Sequence, residues 1–229
     1  MKTKLHYLLK VVLPTTLLLT IAPVYPTLAN NLDKSAFNKR LEIALNKNDL
    51  SLLKDVLPEQ DALLLKSQYK KFINTFPNAK WDFQKGKSLP SGKDLLTVLI
   101  SGERQLKDRN YAIEAKQNYS INYQNGKITN QELISEESII QNSQQPISIS
   151  INVPETVATG KLYDFDIIID KPLGNAIIAG GLTAITSEQI INQISPKIDL
   201  IPLSGGGIFK KARAPLESGM QNWAAILVH

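Results

Sequence analysis

The stretch from residue 33 to residue 76 has the apolar spacing of α-helices. Its first segment repeats apolar side chains every three or four residues: Phe37, Leu41, Ala44 and Leu45. A short second segment follows through Leu53 and Val56, and Pro58 either ends it or opens the next helix. The longest segment carries one continuous apolar face: Ala62, Leu65, Tyr69, Phe72, Ile73 and Phe76. Three helices are therefore predicted, and Pro77 ends the third.

From Lys80 the spacing of apolar residues changes to a period of two, which is typical of β-strands. Trp81 and Phe83 open this pattern, and three longer runs follow: 95–107, 111–124 and 127–140. Turns are predicted at 108–110 and at Asn125-Gly126, a dipeptide that tolerates the positive φ of a tight hairpin. Helices followed by an antiparallel meander predict an α+β fold, with a curved sheet packed on a helical layer.

The polar segment 141–146 separates this pattern from a second, β-rich region. Beyond it, six short runs have strand character: 147–153, 163–170, 176–179, 198–203, 208–213 and 223–228. Thr186 and Gln189 have the spacing of a capping box and predict a short helix between two of these runs. Short strands separated by Gly and Pro favour an Ig-like β-sandwich. We therefore expect two domains, 30–143 and 144–229.

The run from Trp223 to Val228 is apolar on both faces of a strand. Such a strand belongs inside a structure and needs a neighbour on each side. Because the sequence stops at His229, we expect the sandwich to lack its last strand. An open apolar edge is a template for another chain, so we expect edge-strand association near 223–228.

The first 29 residues have the three parts of a secretory signal peptide. Three lysines precede the apolar run 11–22, and Thr27 and Ala29 occupy the small-residue positions before the cleavage point. An uncleaved membrane anchor is the alternative, but three prolines fall within or just after the apolar run. We expect cleavage after Ala29 and export to the periplasm or the medium, or to the thylakoid lumen in a photosynthetic host.

The composition excludes several classes of catalytic and metal site. The chain has no Cys, which rules out disulfides, thiolate metal sites and Cys nucleophiles. Its two histidines are His6, in the predicted signal peptide, and the final residue His229, so a Ser-His-Asp triad or a multi-His metal site is excluded. Without the three lysines of the signal peptide, the excess of basic residues falls from five to two, which gives no indication of nucleic-acid binding. No cofactor and no metal are predicted.

Three carboxylates, Asp164, Asp166 and Asp170, have the even spacing that places them on one face of a strand. Carboxylates bind Ca²⁺ where a turn folds them around the ion, and no such turn is present in this sequence. The favoured interpretation is a solvent-exposed strand face that discourages edge pairing. The glycine run 205–207 does not match a P-loop, and it predicts a bend or bulge between two strands.

Five aromatic residues are the candidates for a ligand-binding site. Tyr69, Phe72 and Phe76 lie on the third predicted helix, and Trp81 and Phe83 lie on the first predicted strand. A sheet curved around the helices would let these side chains line a cone-shaped cavity for an apolar ligand or peptide. The alternative is that the same residues fill the core. A buried carboxylate beside a tyrosine in the cavity would favour an enzyme, whereas an all-apolar lining would favour binding or packing.

Two stretches of the chain resemble known families. The helical start, followed by Trp81-Asp82-Phe83 and the strand containing 111–115, resembles the NTF2-like group of α+β folds. The C-terminal half resembles a family of uncharacterised secreted bacterial proteins. That second resemblance is carried by five short segments: 163–166, 172–174, 179–182, 205–210 and 223–225. NTF2-like proteins range from enzymes to transport adaptors, so the resemblance implies a fold but no reaction.

Taken with the composition, these resemblances favour an exported, non-catalytic protein that binds or assembles in the cell envelope. We expect it to act through the apolar cavity and the sandwich surface, on an envelope protein or a small apolar ligand. The alternative is a cavity enzyme of the NTF2-like type, an isomerase or dehydratase that uses Asp, Glu or Tyr. Neither nucleic acid nor a membrane span after cleavage is expected.

Overall fold

The computed structural model describes residues 5–6, 34–124, 127–171, 177–191, 194–203 and 206–228. The predicted cleavage point at Ala29 and the predicted turn Asn125-Gly126 lie outside these residues. The described chain divides into two compact units. The helical unit contains residues 34–104 and 114–137, and the β unit contains residues 5–6, 105–113 and 138–228.

Three helices build the first layer of the helical unit. They are α1 (Lys34–Asn46), α2 (Leu53–Val56), which follows a 3₁₀ turn at Leu50–Leu52, and α3 (Glu59–Thr75). The apolar positions of each predicted helix are mainly the buried ones: Phe37, Leu41, Ala44, Leu45, Leu53, Val56, Ala62, Tyr69 and Phe72. Pro58 stands directly before α3, and the Phe76 amide closes the helix by donating to the Phe72 carbonyl. The three predicted helices are confirmed.

A four-stranded sheet packs beside these helices in the order β2-β3-β4-β5. The strands are β2 (Lys80–Ser88), β3 (Asp94–Leu106), β4 (Arg109–Gln124) and β5 (Lys127–Asn142), so the predicted runs are confirmed to within two residues. The predicted turn at 108–110 is shifted. The chain turns at Lys107 and Asp108, where Lys107 takes a φ of 57°, and Arg109 and Asn110 already belong to β4.

The β unit contains two further sheets. Strands β6 (Ile149–Asn152), β7 (Leu162–Ile169) and β10 (Gly207–Arg213) form one sheet in the antiparallel order β10-β7-β6. Strands β1 (Leu5–His6), β8 (Ala179–Ile185), β9 (Ile201–Pro202) and β11 (Asn222–Val228) form the other in the order β1-β11-β8-β9. The two sheets contribute to one core: Phe165, Ile167, Ile208, Ala225 and Leu227. The chain is therefore an α+β protein with mainly antiparallel sheets.

The strand predicted at 176–179 is wrong in position, because β8 begins at Ala179 and runs to Ile185. Because glycine has no side chain, Gly180 and Gly181 interrupt the alternation of apolar and polar residues that would have indicated this strand. β8 nevertheless pairs with β11 along its whole length, from Ala179↔Val228 to Ile185↔Asn222. A Cβ on Gly181 would lie 2.3 Å from the Asp199 carbonyl oxygen, so this close approach requires glycine. The predicted strand 198–203 is shortened to β9, which covers only Ile201 and Pro202.

The predicted capping box is confirmed at the start of α4 (Ser187–Ile191). The Thr186 amide donates to Gln189 Oε1 over 2.9 Å, and the Gln189 amide donates to Thr186 Oγ1 over 3.2 Å. Each residue therefore satisfies a backbone donor that the first helical turn leaves without an intrahelical partner.

The compact units divide the chain differently from the predicted domains 30–143 and 144–229. Residues 105–113 and 138–143, at the ends of β3, β4 and β5, are grouped with the β unit. Within that unit, the Ser143 amide and hydroxyl both donate to the Asn110 carbonyl, at 2.9 and 3.1 Å. Among the described residues, no helix has the length and hydropathy required to cross a membrane.

Candidate functional site

An aromatic cluster connects α3 to β2 in the helical unit. The Trp81 ring lies 5.2 Å from Tyr69 and 5.6 Å from Phe72, and Phe72 lies 5.4 Å from Phe76. The Tyr69 hydroxyl donates to the Leu45 carbonyl over 2.9 Å, and burial raises the pKa of Tyr69. These contacts tie the end of α1, the middle of α3 and the first strand into one packed group.

A cavity lies beside this cluster, between the helices and the inner face of the sheet. The space open to the centre of a water-sized molecule measures about 80 Å³. Its apolar lining comes from α1, from α3 and from the sheet, and includes Leu41, Leu45, Leu65, Trp81, Leu96 and Val98. Its polar lining consists of Asp61, Gln68, Gln117, Tyr119 and Gln131.

The five aromatic residues predicted to line a cavity divide into two groups. Trp81 and Phe83 line it. Tyr69, Phe72 and Phe76 lie instead in the packed aromatic cluster, where they are at most 6% exposed. The two residues of β2 therefore line the cavity, whereas the three residues from the predicted helix belong to the adjacent core.

The unusual feature of the cavity lining is a pair of buried glutamine side chains with unpartnered polar atoms. Gln68 on α3 is 8% exposed and Gln117 on β4 is 2% exposed. Within the described part of the chain, Gln68 Oε1 and Gln117 Nε2 have no hydrogen-bond partner. Gln117 is oriented by Tyr119, whose hydroxyl donates to Gln117 Oε1 over 3.1 Å. Buried polar atoms without partners are uncommon in folded proteins, so each requires an explanation.

Among the described lining residues, Asp61 is the only carboxylate. It stands in the first turn of α3, half-buried, and desolvation raises its pKa. The lining is therefore not wholly apolar. It contains a carboxylate and a tyrosine, Tyr119, whose hydroxyl donates to an amide oxygen.

Sequence reasoning missed the two glutamines, although each interrupts an apolar pattern. Gln68 lies next to Tyr69 and three residues after Leu65 on α3. Gln117 occupies an inward position of β4, between the buried residues Ala115 and Tyr119. The sequence feature that could have indicated them is a polar residue at a position that the helix or strand period places among buried residues.

The other candidate groups lie in the β unit and form no comparable site. Lys211 lies opposite Asp164, and Phe209 lies opposite Asp166, in the β10–β7 register. Asp170 accepts hydrogen bonds from Ser148 (2.8 Å) and Ser150 (2.7 Å). In the part of the chain that the structure describes, no group of three His, Cys, Asp or Glu side chains could hold a metal ion.

In the predicted glycine bend, Gly205 lies outside the described residues, and Gly206 has a φ of +74°. A Cβ on Gly207, the first residue of β10, would lie 2.2 Å from the Ile167 carbonyl oxygen. This close backbone approach is sufficient to account for glycine at position 207.

At the start of β11, Trp223 anchors the strand to the other sheet of the β unit. Its Nε1 donates to the Tyr163 hydroxyl over 2.9 Å, and that hydroxyl donates to Gln221 Oε1 over 2.9 Å. The Lys210 ammonium lies 5.0 Å from the centre of the Trp223 ring. Trp223 therefore has a structural role in holding the two sheets together.

Comparison with known proteins gives one match and no assigned activity. No curated protein and no solved structure matches the chain. Residues 144–229, which contain β6 to β11, match a family model described as "Domain of unknown function (DUF8623)".

Proposed function

We propose that this protein is an exported, non-catalytic binding protein of the cell envelope, and that the cavity of the helical unit holds a small ligand. The observation that carries the proposal is the combination of an apolar lining with two buried, unpartnered amide atoms on Gln68 and Gln117. Ligand sites are mostly apolar and contain a few precisely placed polar groups. This cavity has that composition.

Packing alone accounts poorly for the two glutamines. Leaving a buried donor or acceptor without a partner costs about 1–3 kcal/mol in the folded state. Leucine at either position would remove that cost and fill part of the space. A local choice that lowers stability without a structural gain is typical of functional sites.

We also propose a specific fold for each of the two units. Helices followed by a long, hairpin-connected sheet support an NTF2-like helical unit, and two sheets around a shared core support an Ig-like β unit. Both assignments rest on fold analogy, and a shared fold does not imply a shared function.

Export and envelope localisation are supported by the sequence of residues 1–29. Leu5 and His6 within this segment pair with Val228 and Leu227 of β11. Cleavage after Ala29 would remove that pairing, and the edge of β11 would then be open to a strand of an envelope partner.

A cavity enzyme is the second candidate, and Asp61 is the observation that favours it. A carboxyl whose pKa is raised by desolvation suits general acid or base catalysis of the isomerase or dehydratase type. Small molecules that co-purify with the protein should be incubated with the wild type and with Asp61→Asn, and mass spectrometry should follow their conversion. Conversion by the wild type alone would favour the enzyme.

The binding proposal is tested by filling the cavity. Val98 lines it from β3, so Val98→Phe should occupy the space, whereas Ser101→Phe adds the same ring at an exposed position of that strand. Binding of toluene, benzyl alcohol and benzamide is measured by ligand-observed NMR. We expect binding to the wild type and to Ser101→Phe, and its loss in Val98→Phe. Absence of binding to the wild type, or equal binding to all three proteins, would contradict the proposal.

A further inference from the structure

We infer that the ligand of this cavity has a small apolar body and an uncharged head group that both donates and accepts hydrogen bonds, with a primary carboxamide as the best fit. The inference rests on the proposed function and specifies its ligand. It is carried by the opposite hydrogen-bonding character of the two unpartnered atoms, Gln68 Oε1 and Gln117 Nε2.

The direction of the Gln117 amide is set by its neighbour. The Tyr119 hydroxyl donates to Gln117 Oε1, so the oxygen end of this side chain is occupied and the Nε2 end is left to donate. Gln68 Oε1 can only accept. A carboxamide has the two complementary groups, because its NH₂ can donate to Gln68 Oε1 and its carbonyl oxygen can accept from Gln117 Nε2.

The charges around the cavity disfavour ionic head groups. Among the described lining residues there is no Lys or Arg to neutralise an anion. A carboxylate would also face the acceptor oxygen of Gln68 and the side chain of Asp61, and both contacts are repulsive. An ammonium group would suit Asp61 and Gln68, but it offers no acceptor to Gln117 Nε2.

The size of the cavity restricts the apolar body. A space of about 80 Å³ accommodates roughly five to eight water-sized groups, at about 10–15 Å³ for each. A single ring or a short alkyl chain is of this size. The Trp81 and Phe83 rings and the leucine side chains then enclose the body while the glutamines bind the head.

The test compares four probes that share a benzene ring: benzamide, toluene, benzoate and benzylammonium. Affinities for the purified protein are measured by ligand-observed NMR and calorimetry. We expect benzamide to bind about tenfold more tightly than toluene, the gain of roughly one to two buried hydrogen bonds, and benzoate to bind most weakly. Equal affinity for benzamide and toluene, or a preference for benzoate, would overturn the head-group inference.

Variants of the two glutamines show whether these side chains produce the preference for benzamide. Gln68→Leu should reduce the affinity for benzamide to that for toluene, and Gln68→Met provides the same comparison if the leucine variant does not fold. Gln117→Glu keeps the acceptor for Tyr119 and replaces the donor, so it should weaken benzamide binding about tenfold and strengthen benzylammonium binding. Gln60→Leu, at an exposed position of the same helix as Gln68 and outside the lining, is the matched control and should preserve the preference for benzamide.

The outcomes separate this inference from the proposed function. If no probe binds the wild type, toluene included, the ligand-binding function itself is wrong. If toluene and benzamide both bind but the glutamine variants leave their ratio unchanged, the cavity binds ligands and only the assigned head group is wrong.

Discussion

The side chain of Asn46 pairs with the backbone of Trp81 as a neighbouring strand would. Asn46 Nδ2 donates to the Trp81 carbonyl over 2.7 Å, and the Trp81 amide donates to Asn46 Oδ1 over 2.8 Å. β2 is the edge strand of its sheet, so these bonds satisfy two backbone groups that face away from β3. Trp81 also lines the cavity, and the last residue of α1 therefore fixes the backbone of a cavity residue.

Replacing Asn46 should destabilise the helical unit. Asn46→Ala removes both bonds, and we expect a loss of about 1–3 kcal/mol in the free energy of unfolding. Asn46→Asp should cost more at pH 7, because a carboxylate would face the Trp81 carbonyl oxygen, and less at pH 3, where a protonated carboxyl can donate. Urea denaturation at the two pH values measures both effects. Lys47→Ala is the control, and an Asn46→Ala variant as stable as this control would contradict the assignment.

Tyr123 on β4 should stabilise the fold through its neutral hydroxyl. This hydroxyl donates to Oδ1 of the buried Asn38 over 3.1 Å, and its ring meets Phe37 edge-on at 5.1 Å. We expect Tyr123→Phe to lower the free energy of unfolding by about 1–2 kcal/mol at pH 7, because Asn38 Oδ1 loses its donor. Denaturation of the two proteins at neutral pH is the measurement.

The raised pKa of Tyr123 also predicts a loss of stability at alkaline pH. Burial, together with the nearby charge of Asp94, raises the pKa of Tyr123 well above its ordinary value of 10.0. The folded state therefore retains a proton that the unfolded state releases, so this contribution is full below pH 10 and declines as the pH rises further. The stability difference between wild type and Tyr123→Phe should therefore shrink as the pH rises above 10. A constant difference would show that Tyr123 ionises equally in both states.

Asp170 should titrate below its ordinary range. Hydrogen bonds from Ser150 and Ser148, followed by the charge of Lys171, lower the pKa of this carboxyl from 3.8. Its contribution to stability is therefore present above that value and is lost as the pH falls through the lowered pKa. In the Ser148→Ala, Ser150→Ala double variant, the Asp170 carboxyl should titrate close to 3.8 by carbon-detected NMR. Asp164, an acidic residue within β7, the strand that ends just before Asp170, serves as the control. An unchanged Asp170 titration in the double variant would contradict the role of the serines.

The helical unit could be predicted where a local pattern determines the element. Tyr69, Phe72 and Phe76 repeat at helical spacing, and Pro58 precedes and Pro77 follows α3, so the sequence alone bounds that helix. β8 could not be predicted in this way. Gly180 and Gly181 have no side chains to alternate, and the strand exists because it pairs with β11 along its length.

The candidate site was predictable only in its apolar part. Trp81 and Phe83 were expected to line a cavity because large aromatic residues on an inward strand face must pack against something. Gln68 and Gln117 are ordinary residue types in a helix and a strand. Their significance depends on which buried atoms lack partners, which in turn depends on how the helix and the strand line one cavity.

The edge of β11 that pairs with Leu5 and His6 is expected to take part in association between chains. On one side β11 pairs with β8 throughout, and on the other side Leu5 and His6 pair with Val228 and Leu227. If the proposed cleavage after Ala29 occurs, the mature protein loses this second pairing while β11 keeps an apolar character on both faces. An edge of that kind recruits another strand, so residues 30–229 should self-associate more than the full chain does.

Light scattering of the two proteins across a concentration series measures this association. A synthetic peptide covering residues 2–9 should bind residues 30–229 and reduce their self-association, because it restores the partner of Leu227 and Val228. A peptide of the same composition in scrambled order is the control. If residues 30–229 stay monomeric and are as stable as the full chain, the pairing with Leu5 and His6 protects no reactive edge, and association through β11 is wrong.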